Sequence, residues 1–529
     1  MFEYLIKKTN RYFASKAVSD PNAGIPEIEA MPISSSLEKN LKKLESVFGD
    51  NSDIIIRRFD IGRDRQPAAI ICADGLVNYA MISESIVRPL LYDDFNRDAD
   101  RPPKSMEDIK KDYIAANEVK DAETLGDVMY AVLSGDTVLL ADRFRGGLII
   151  NTKGFSVRSI QDPQTETVIR GPREGFIENI RTNTSLIRRR IKDPALTIKN
   201  FIVGRKTRTN VSVLYMRNIA ESSLVDEVIS RIQALDTDAI LESGYIEQLI
   251  AEPGSPIFPT IGNTEKPDVA AGKLLEGRVA ILVDGSPYAL TMPMFFIESF
   301  QTSEDYYIAP VFASLLRGIR FVAFLISLFT LPIYVVLTTF HQELIPTSLL
   351  FSMAASAAGT PFPAVVEALI MILTFELLKE SGVRLPRPAG QAVSMVGAII
   401  IGETAISAGI ISAPIAIAVA ITAVATFAVP SQSNASSLLR ILLIILSGIL
   451  GGFGIIVGTL VLFIHLSSVR SFGVPYLTPF SPFRGRDIKD SLIRFPLWAL
   501  LTRPQNISRR NPRRTAYKPI SRTYYNKED

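Results

Sequence analysis

Between Val311 and Ser467 the chain carries only eleven formal charges and no aspartate: Arg317, Arg320, Glu343, Glu367, Glu376, Lys379, Glu380, Arg384, Arg387, Glu403 and Arg440. A stretch that apolar cannot face water on all sides. Several of its segments have the length of a bilayer crossing, so the region reads as membrane. The other charges are sorted unevenly around it. Residues 1–310 hold 38 basic and 45 acidic side chains, whereas residues 468–529 hold 13 basic and 4 acidic ones. The formal net charge of +3 therefore conceals an acidic N-terminal region and a strongly basic tail.

The opening MFEYLIKKTNRYFASK lacks the apolar core of a secretory signal. This places residues 1–310 on the side where they are made, the cytoplasm. The single cysteine, Cys72, excludes a disulfide framework and suits that side. SSSLEKNLKKLESVFG repeats Leu37, Leu41 and Leu44 at helical spacing, which predicts an amphipathic helix inside an N-terminal segment, 1–50. Beyond it, short runs rich in Val and Ile alternate with helical patterns. That alternation predicts a soluble α/β region of two subdomains, 51–165 and 166–310, parted where Gly and Pro gather near 155–175. AAIICADG and RVAILVDG are β-rich runs ending in Asp74-Gly75 and Asp284-Gly285, each suited to a tight hairpin turn with positive φ. Metal binding is the weaker reading of these aspartates, because no second acidic ligand stands at a useful spacing.

The expected all-α multi-pass membrane domain, 311–467, has five long apolar segments: 318–340 with Pro332 inside it, 363–379, 389–411, 413–429 and 438–466. A sixth, 348–359, is too short to span. In the last long segment Gly448, Gly452, Gly454 and Gly458 are spaced for close helix approach. The short loop KESGVRLPRP and the RRNPRR of the basic cytoplasmic tail, 468–529, both belong on the cytoplasmic side, so the number of crossings should be even. Five crossings become consistent if one segment is re-entrant, either 348–362 or the pair around Pro414.

AIIIGETAISAG places Glu403 near the middle of an apolar run, where a charge costs about 2.5–3.5 kcal/mol on insertion scales. Its neighbours Gly402, Ala405 and Gly409 are small, which leaves room for another helix or for water. Glu367 and Glu376 are nine positions apart, on opposite sides of a helix, and Glu376 can pair with Lys379 one turn on. Three readings of Glu403 and Glu367 stay open: hydrogen-bonded packing groups, the lining of a cation path, or a proton-coupled transport site.

Arg509, Arg510, Arg513 and Arg514 follow a membrane region, so they read as contacts to anionic lipid rather than to nucleic acid. No phosphate loop, nucleophile elbow or metal-spaced Cys/His set is present, so neither an enzyme nor a cofactor is expected. VGRKTRT reads as a solvated turn.

Three stretches carry a family likeness: RGPREGFIENIRTNTSLIRRRI; TEKPDVAAGKLLEGRVAILVDGSPYAL with SEDYY after it; and PFPAVVEALIMILTFELLKESGVRLPRPAGQAVSMVGAIIIGETAISAGIISAP. Together they resemble the GerA family, the A subunits of bacterial spore germination receptors, from about residue 35 to about residue 500. The resemblance implies a multi-pass subunit in the inner membrane of the endospore, acting with a permease-like B subunit and a lipoprotein C subunit. It further implies a homo-oligomeric ring of A subunits forming a nutrient-gated cation channel. In that picture Glu403 and Glu367, with Gly402, Ala405 and Gly409, lie near a pore or gating path, and the four glycines of 438–466 pack helices. An accessory channel paralogue is the alternative inside the family. A transporter coupled to protons through Glu403, and a membrane-anchored enzyme with a polar pocket in 50–300, are the alternatives outside it.

Overall fold

The computed structural model describes residues 25–62, 65–91, 103–154, 163, 166, 168–252, 257–384, 402–485, 487–508 and 511–514. They fall into two compact units: the described parts of 1–251, 261–293 and 497–529, and those of 252–260 and 294–496.

The first unit contains two five-stranded antiparallel sheets with one topology. Helix α1 (Leu37–Phe48) precedes β1 (Ile54–Ile61) and β2 (Gln66–Ala73); then come β3 (Val119–Ala122), α2 (Leu125–Leu133), β4 (Thr137–Ala141) and β5 (Gly147–Ile150). Helix α3 (Ile180–Arg190) leads in the same way to β6 (Leu196–Val203) and β7 (Thr209–Met216). Helices α4 (Ser222–Gln233) and α5 (Ser243–Ile250) follow, then β8 (Gly262–Thr264), α6 (Pro267–Leu275), β9 (Val279–Val283) and β10 (Ala289–Met292). The strand orders, β1-β2-β4-β5-β3 and β6-β7-β9-β10-β8, are the same path. Helices alternate with strands as expected, yet every pairing is antiparallel. Local periodicity reveals a strand but not its neighbour.

The first sheet is buried on both faces, which explains the unbroken apolar run of β2. Ala69, Ile71 and Ala73 pack with Leu41 and Leu44 of α1 and Val128 and Val132 of α2. Ala68, Ile70 and Cys72 pack on the other side with Ile82, Ile86 and Leu90. The amphipathic helix of the N-terminal segment is thus part of the first module's core. Burial pushes the Cys72 thiol up to about 11, and the neighbouring Asp74 adds to the shift. At pH 8 the folded protein should therefore resist thiol reagents such as DTNB and react only in denaturant; rapid labelling of the native chain would contradict this placement.

The same polar anchors recur in the two modules. Leu37 N–H donates to Asp142 Oδ1 at 2.9 Å, and Ile180 N–H to Asp284 Oδ1 at 3.2 Å, so an aspartate after the fourth strand caps the first helix in each. Asn40 exchanges two hydrogen bonds with the backbone of Ser34, and Asn183 exchanges the matching pair with Ile177. Arg143 at φ 71° and Gly285 at φ 85° hold equivalent turn positions. This corrects the reading of the two Asp-Gly pairs, which are not equivalent. Asp284-Gly285 lies in the β9–β10 hairpin, whose connection is longer than a two-residue turn. Asp74-Gly75 ends β2 without forming a hairpin, since β2 pairs onward with β4. The positive φ is present at both, 77° and 85°.

The modules are joined through the Arg188 guanidinium, which binds both Asp53 oxygens at 2.9 and 3.0 Å with both side chains nearly buried. Beside it Ser52 N–H donates to Ile198 O, and Ile198 N–H to Asn51 Oδ1. Residues 497–508 and 511–514 of the tail lie on the second module. Arg503 Nε donates to Leu275 O at 2.8 Å, Arg514 pairs with Glu276 at 2.7 Å, and Ile507 is buried. Arg509 and Arg510 lie outside the described residues.

The second unit, 252–260 with 294–496, is mainly helical and takes in residues on both sides of the expected 311–467. Its helices are α7 (Pro310–Thr339), α8 (Thr347–Ala357), α9 (Ala364–Arg384), α10 (Ala413–Phe427), α11 (Ser433–Leu450) and α12 (Gly452–Ser468). Pro310–Thr339 and Pro430–Leu450 are long and apolar enough to cross a membrane. Leu331, Val335, Ala368, Ile372, Ile415 and Ile444 form the bundle core. The apolar run 438–466 is not one helix. It breaks at Gly451, φ 60°, into the hairpin α11–α12, so the last of the five expected long segments is two helices. Most of the segment 389–411 lies outside the described residues.

Candidate functional site

Glu367 is buried near the start of α9. Its Oε2 accepts from both the N–H and the Oγ of Ser412 at 3.0 Å. Ser412 is the extended residue ahead of α10, so the carboxylate caps an apolar helix whose first N–H groups otherwise lack acceptors. Ser356 Oγ of α8 adds a second cap by accepting from Ala413 N–H at 3.2 Å.

Glu403 stands elsewhere. It is exposed on a helical stretch whose described part is 402–407, and among the described residues no hydrogen bond joins it to Glu367. Ala405 is half-buried against the bundle core. Among the described residues nothing stands within 4 Å of where a Gly402 Cβ would be. Gly409 ends the helix at φ 65°, with its Cβ position 3.1 Å from Gly359 O, so this segment lies against the turn after α8. Helix α8 itself has no buried residue, and Leu349 and Phe351 are exposed. Residues 347–362 and 402–410 therefore make an apolar surface that bears one carboxylate.

The four glycines of the former long helix do different things. A Cβ at Gly448 would meet Val365 of α9 at 2.7 Å. At Gly458 it would meet Leu443 of α11 at 2.6 Å, and at Gly454 the Leu446 carbonyl oxygen at 2.2 Å. At Gly452 it would come 3.3 Å from His341 Nε2, a tight approach that the histidine side chain must relieve.

Two charge clusters in this unit escaped sequence reasoning. Glu376 does pair with Lys379, but it also binds the fully buried Arg440 of α11 at 2.8 Å. At the start of α7, Arg317 and Arg320 converge on the buried Asp305, and Arg317 also binds Asp490 at 3.0 Å. Tyr306, whose OH donates to Asp490, is flanked by the guanidinium groups of Arg317 and Arg494. SEDYY is thus a clamp on the first long helix. A charge in an apolar run was the available signal for Arg440, but its partners lie on three other helices and no spacing reveals them.

In the first unit, VGRKTRT is the β6–β7 turn: Arg205 pairs with Asp236, and Thr207 Oγ1 accepts from Ile240 N–H. No group of three or more potential metal ligands occurs among the described residues.

Comparison with known proteins places these features. The sequence profile described as "Bacillus/Clostridium GerA spore germination protein" matches residues 42–506. Spore germination protein KA of Bacillus subtilis (strain 168) is 44% identical over 480 residues, covering 90% of this chain and 88% of that one. Spore germination protein GerLA of Bacillus cereus is 37% identical over 478 residues, covering 90% and 96%. The crystal structure of the N-terminal domain of the A subunit of the Bacillus megaterium spore germinant receptor GerK3 is 34% identical to this chain. It covers 50% of this chain and 97% of that one, with a TM-score of 0.39.

Proposed function

Since this chain belongs to the GerA family of spore germination proteins, we propose that it is the A subunit of a nutrient-responsive germination receptor whose copies assemble into a cation channel in the spore inner membrane. The partners on this reading are a permease-like B subunit and a lipoprotein C subunit.

One observation carries the channel reading. Glu403 is exposed on an apolar surface of a helical unit whose long helices suit a bilayer. A carboxylate facing lipid is costly, so this surface calls for cover by protein or by water. A ring of copies with the surface turned inward supplies both, and places a carboxylate where a cation would pass.

The test is nutrient-triggered potassium release from spores carrying variants of this chain, with its abundance measured in parallel. Gly402→Leu meets no neighbour among the described residues, so it should accumulate normally yet slow release by on the order of tenfold, through clashes with a neighbouring copy or narrowing of a path. Glu403→Ala should slow release as well, whereas Glu403→Gln should retain part of it, as an uncharged acceptor can still meet a cation. Unchanged release in both Gly402→Leu and Glu403→Ala at normal abundance would remove this surface from the channel. Total loss in Glu403→Gln would favour proton coupling instead. Spores lacking the chain separate the two roles within the family: loss for one nutrient marks a receptor subunit, and uniform slowing marks an accessory channel.

A further inference from the structure

The polar centre of the helical bundle is not at Glu403 but at Arg440, which is fully buried on α11. Its Nη1 donates to Ser327 O of α7 at 3.2 Å and to Thr426 Oγ1 of α10 at 3.0 Å. Its Nη2 donates to Glu376 Oε1 of α9 at 2.8 Å. One guanidinium therefore ties α7, α9 and α10 to α11. The tie is incomplete, because Arg440 Nε is buried and finds no partner among the described residues.

Glu376 is shared. Its Oε1 also accepts from Ser437 Oγ at 2.5 Å, and its Oε2 pairs with Lys379, one turn further along its own helix. Lys379 in turn lies within 3.3 and 3.4 Å of Ser433 and Ser437 on α11. A buried ion pair is ordinarily hard to part, since separation strands both charges. Were α9 and α11 to part, the weaker contacts to Ser433 and Ser437 would be lost, but the carboxylate would keep Lys379 and the guanidinium would keep the Ser327 carbonyl and the Thr426 hydroxyl. Both sides of the pair are thus provided for when α9 and α11 shift apart, as an element with two stable arrangements requires.

We propose that Glu376–Arg440 is the latch that holds this bundle shut, and that Lys379 weakens it by competing for the same carboxylate. The proposal rests on the channel reading above, since a gated channel must be closed by default and needs an interaction that keeps it so.

Competition gives the two partners opposite signs. Glu376→Gln loosens the latch, and should lower the nutrient concentration needed for half-maximal potassium release by about tenfold or make release independent of nutrient. Lys379→Ala leaves Arg440 the sole cation on Glu376, and should raise that concentration by about tenfold. The experiment measures release against nutrient concentration in spores, with immunoblots for abundance, and cation flux through the purified receptor in liposomes. Should Glu376→Gln fail to accumulate, Glu376→Asp keeps the charge on a shorter arm and should shift the threshold the same way, less far. Shifts of the same sign, or no shift at normal abundance while wild type conducts, would make the pair a folding contact only and overturn the latch. Absence of flux in wild-type liposomes would instead overturn the channel reading, and the latch with it.

Discussion

Arg188→Ala is expected to destabilise the N-terminal unit by about 3–5 kcal/mol, the cost of leaving a buried carboxylate without its cation. Arg188 is 1% exposed, and among the described residues it alone binds the carboxylate of Asp53, through both oxygens, while also donating to the carbonyls of Leu196 and Asp193. Urea unfolding of the full-length protein in detergent, followed by hydrogen exchange in β6 and β7, reads the loss. The double variant Asp53→Leu with Arg188→Met should recover much of it, because an apolar pair of similar volume needs no solvation. A single variant with wild-type stability would show that Asp53 reaches water when Arg188 is gone, and that the junction between the modules is held by the backbone bonds at Asn51 and Ser52.

Gly454→Val should prevent the α11–α12 hairpin from closing. Ordinary overpacking costs about 1–3 kcal/mol, because side chains can turn aside. Here the obstacle is the Leu446 carbonyl, 2.2 Å from the Cβ position, and a main-chain carbonyl in a helix cannot turn aside without breaking the helix. The expected result is loss of the protein from the membrane fraction and protease sensitivity between 433 and 468. Gly458→Ala is the control. Its Cβ would meet the tips of the Leu443 and Leu446 side chains, which can shift, so a milder loss is expected. Equal accumulation of both variants would mean that the two helices do not pack as a hairpin.

These glycines show how far the sequence reaches. Their spacing announced close helix approach, and at Gly448, Gly454 and Gly458 close approach is present. The spacing did not say that the chain reverses at Gly451. A glycine inside an apolar helix and a glycine at a reversal look alike until the following residues find something to pack against, and here α12 folds back on α11. Composition likewise marked the membrane-like stretch, and helical periodicity marked α1. It was silent on the tandem repeat, because the identities that survive are single anchors, Asn40 with Asn183 and Asp142 with Asp284, among strands that share only apolarity. The Asp-Gly pairs were the more visible likeness, and they sit at non-equivalent turns.

The carboxylates divide in the same way. A charge in an apolar run was legible at Glu367, Glu376 and Glu403 alike, since its cost depends only on local composition. What each does was decided by residues distant in sequence. Ser412 makes Glu367 a helix cap, Arg440 and Lys379 make Glu376 a shared anion, and Glu403 is left exposed at the surface. The sequence by itself determined the division into an α/β region and an apolar helical region, the amphipathic helix α1, and the family. Strand pairing, the repeat, the reversal at Gly451 and the partner of every buried charge were settled only in the tertiary structure. The physical reason is that periodicity and hydropathy act over a few residues, whereas a hydrogen bond or ion pair is fixed by where two remote segments meet.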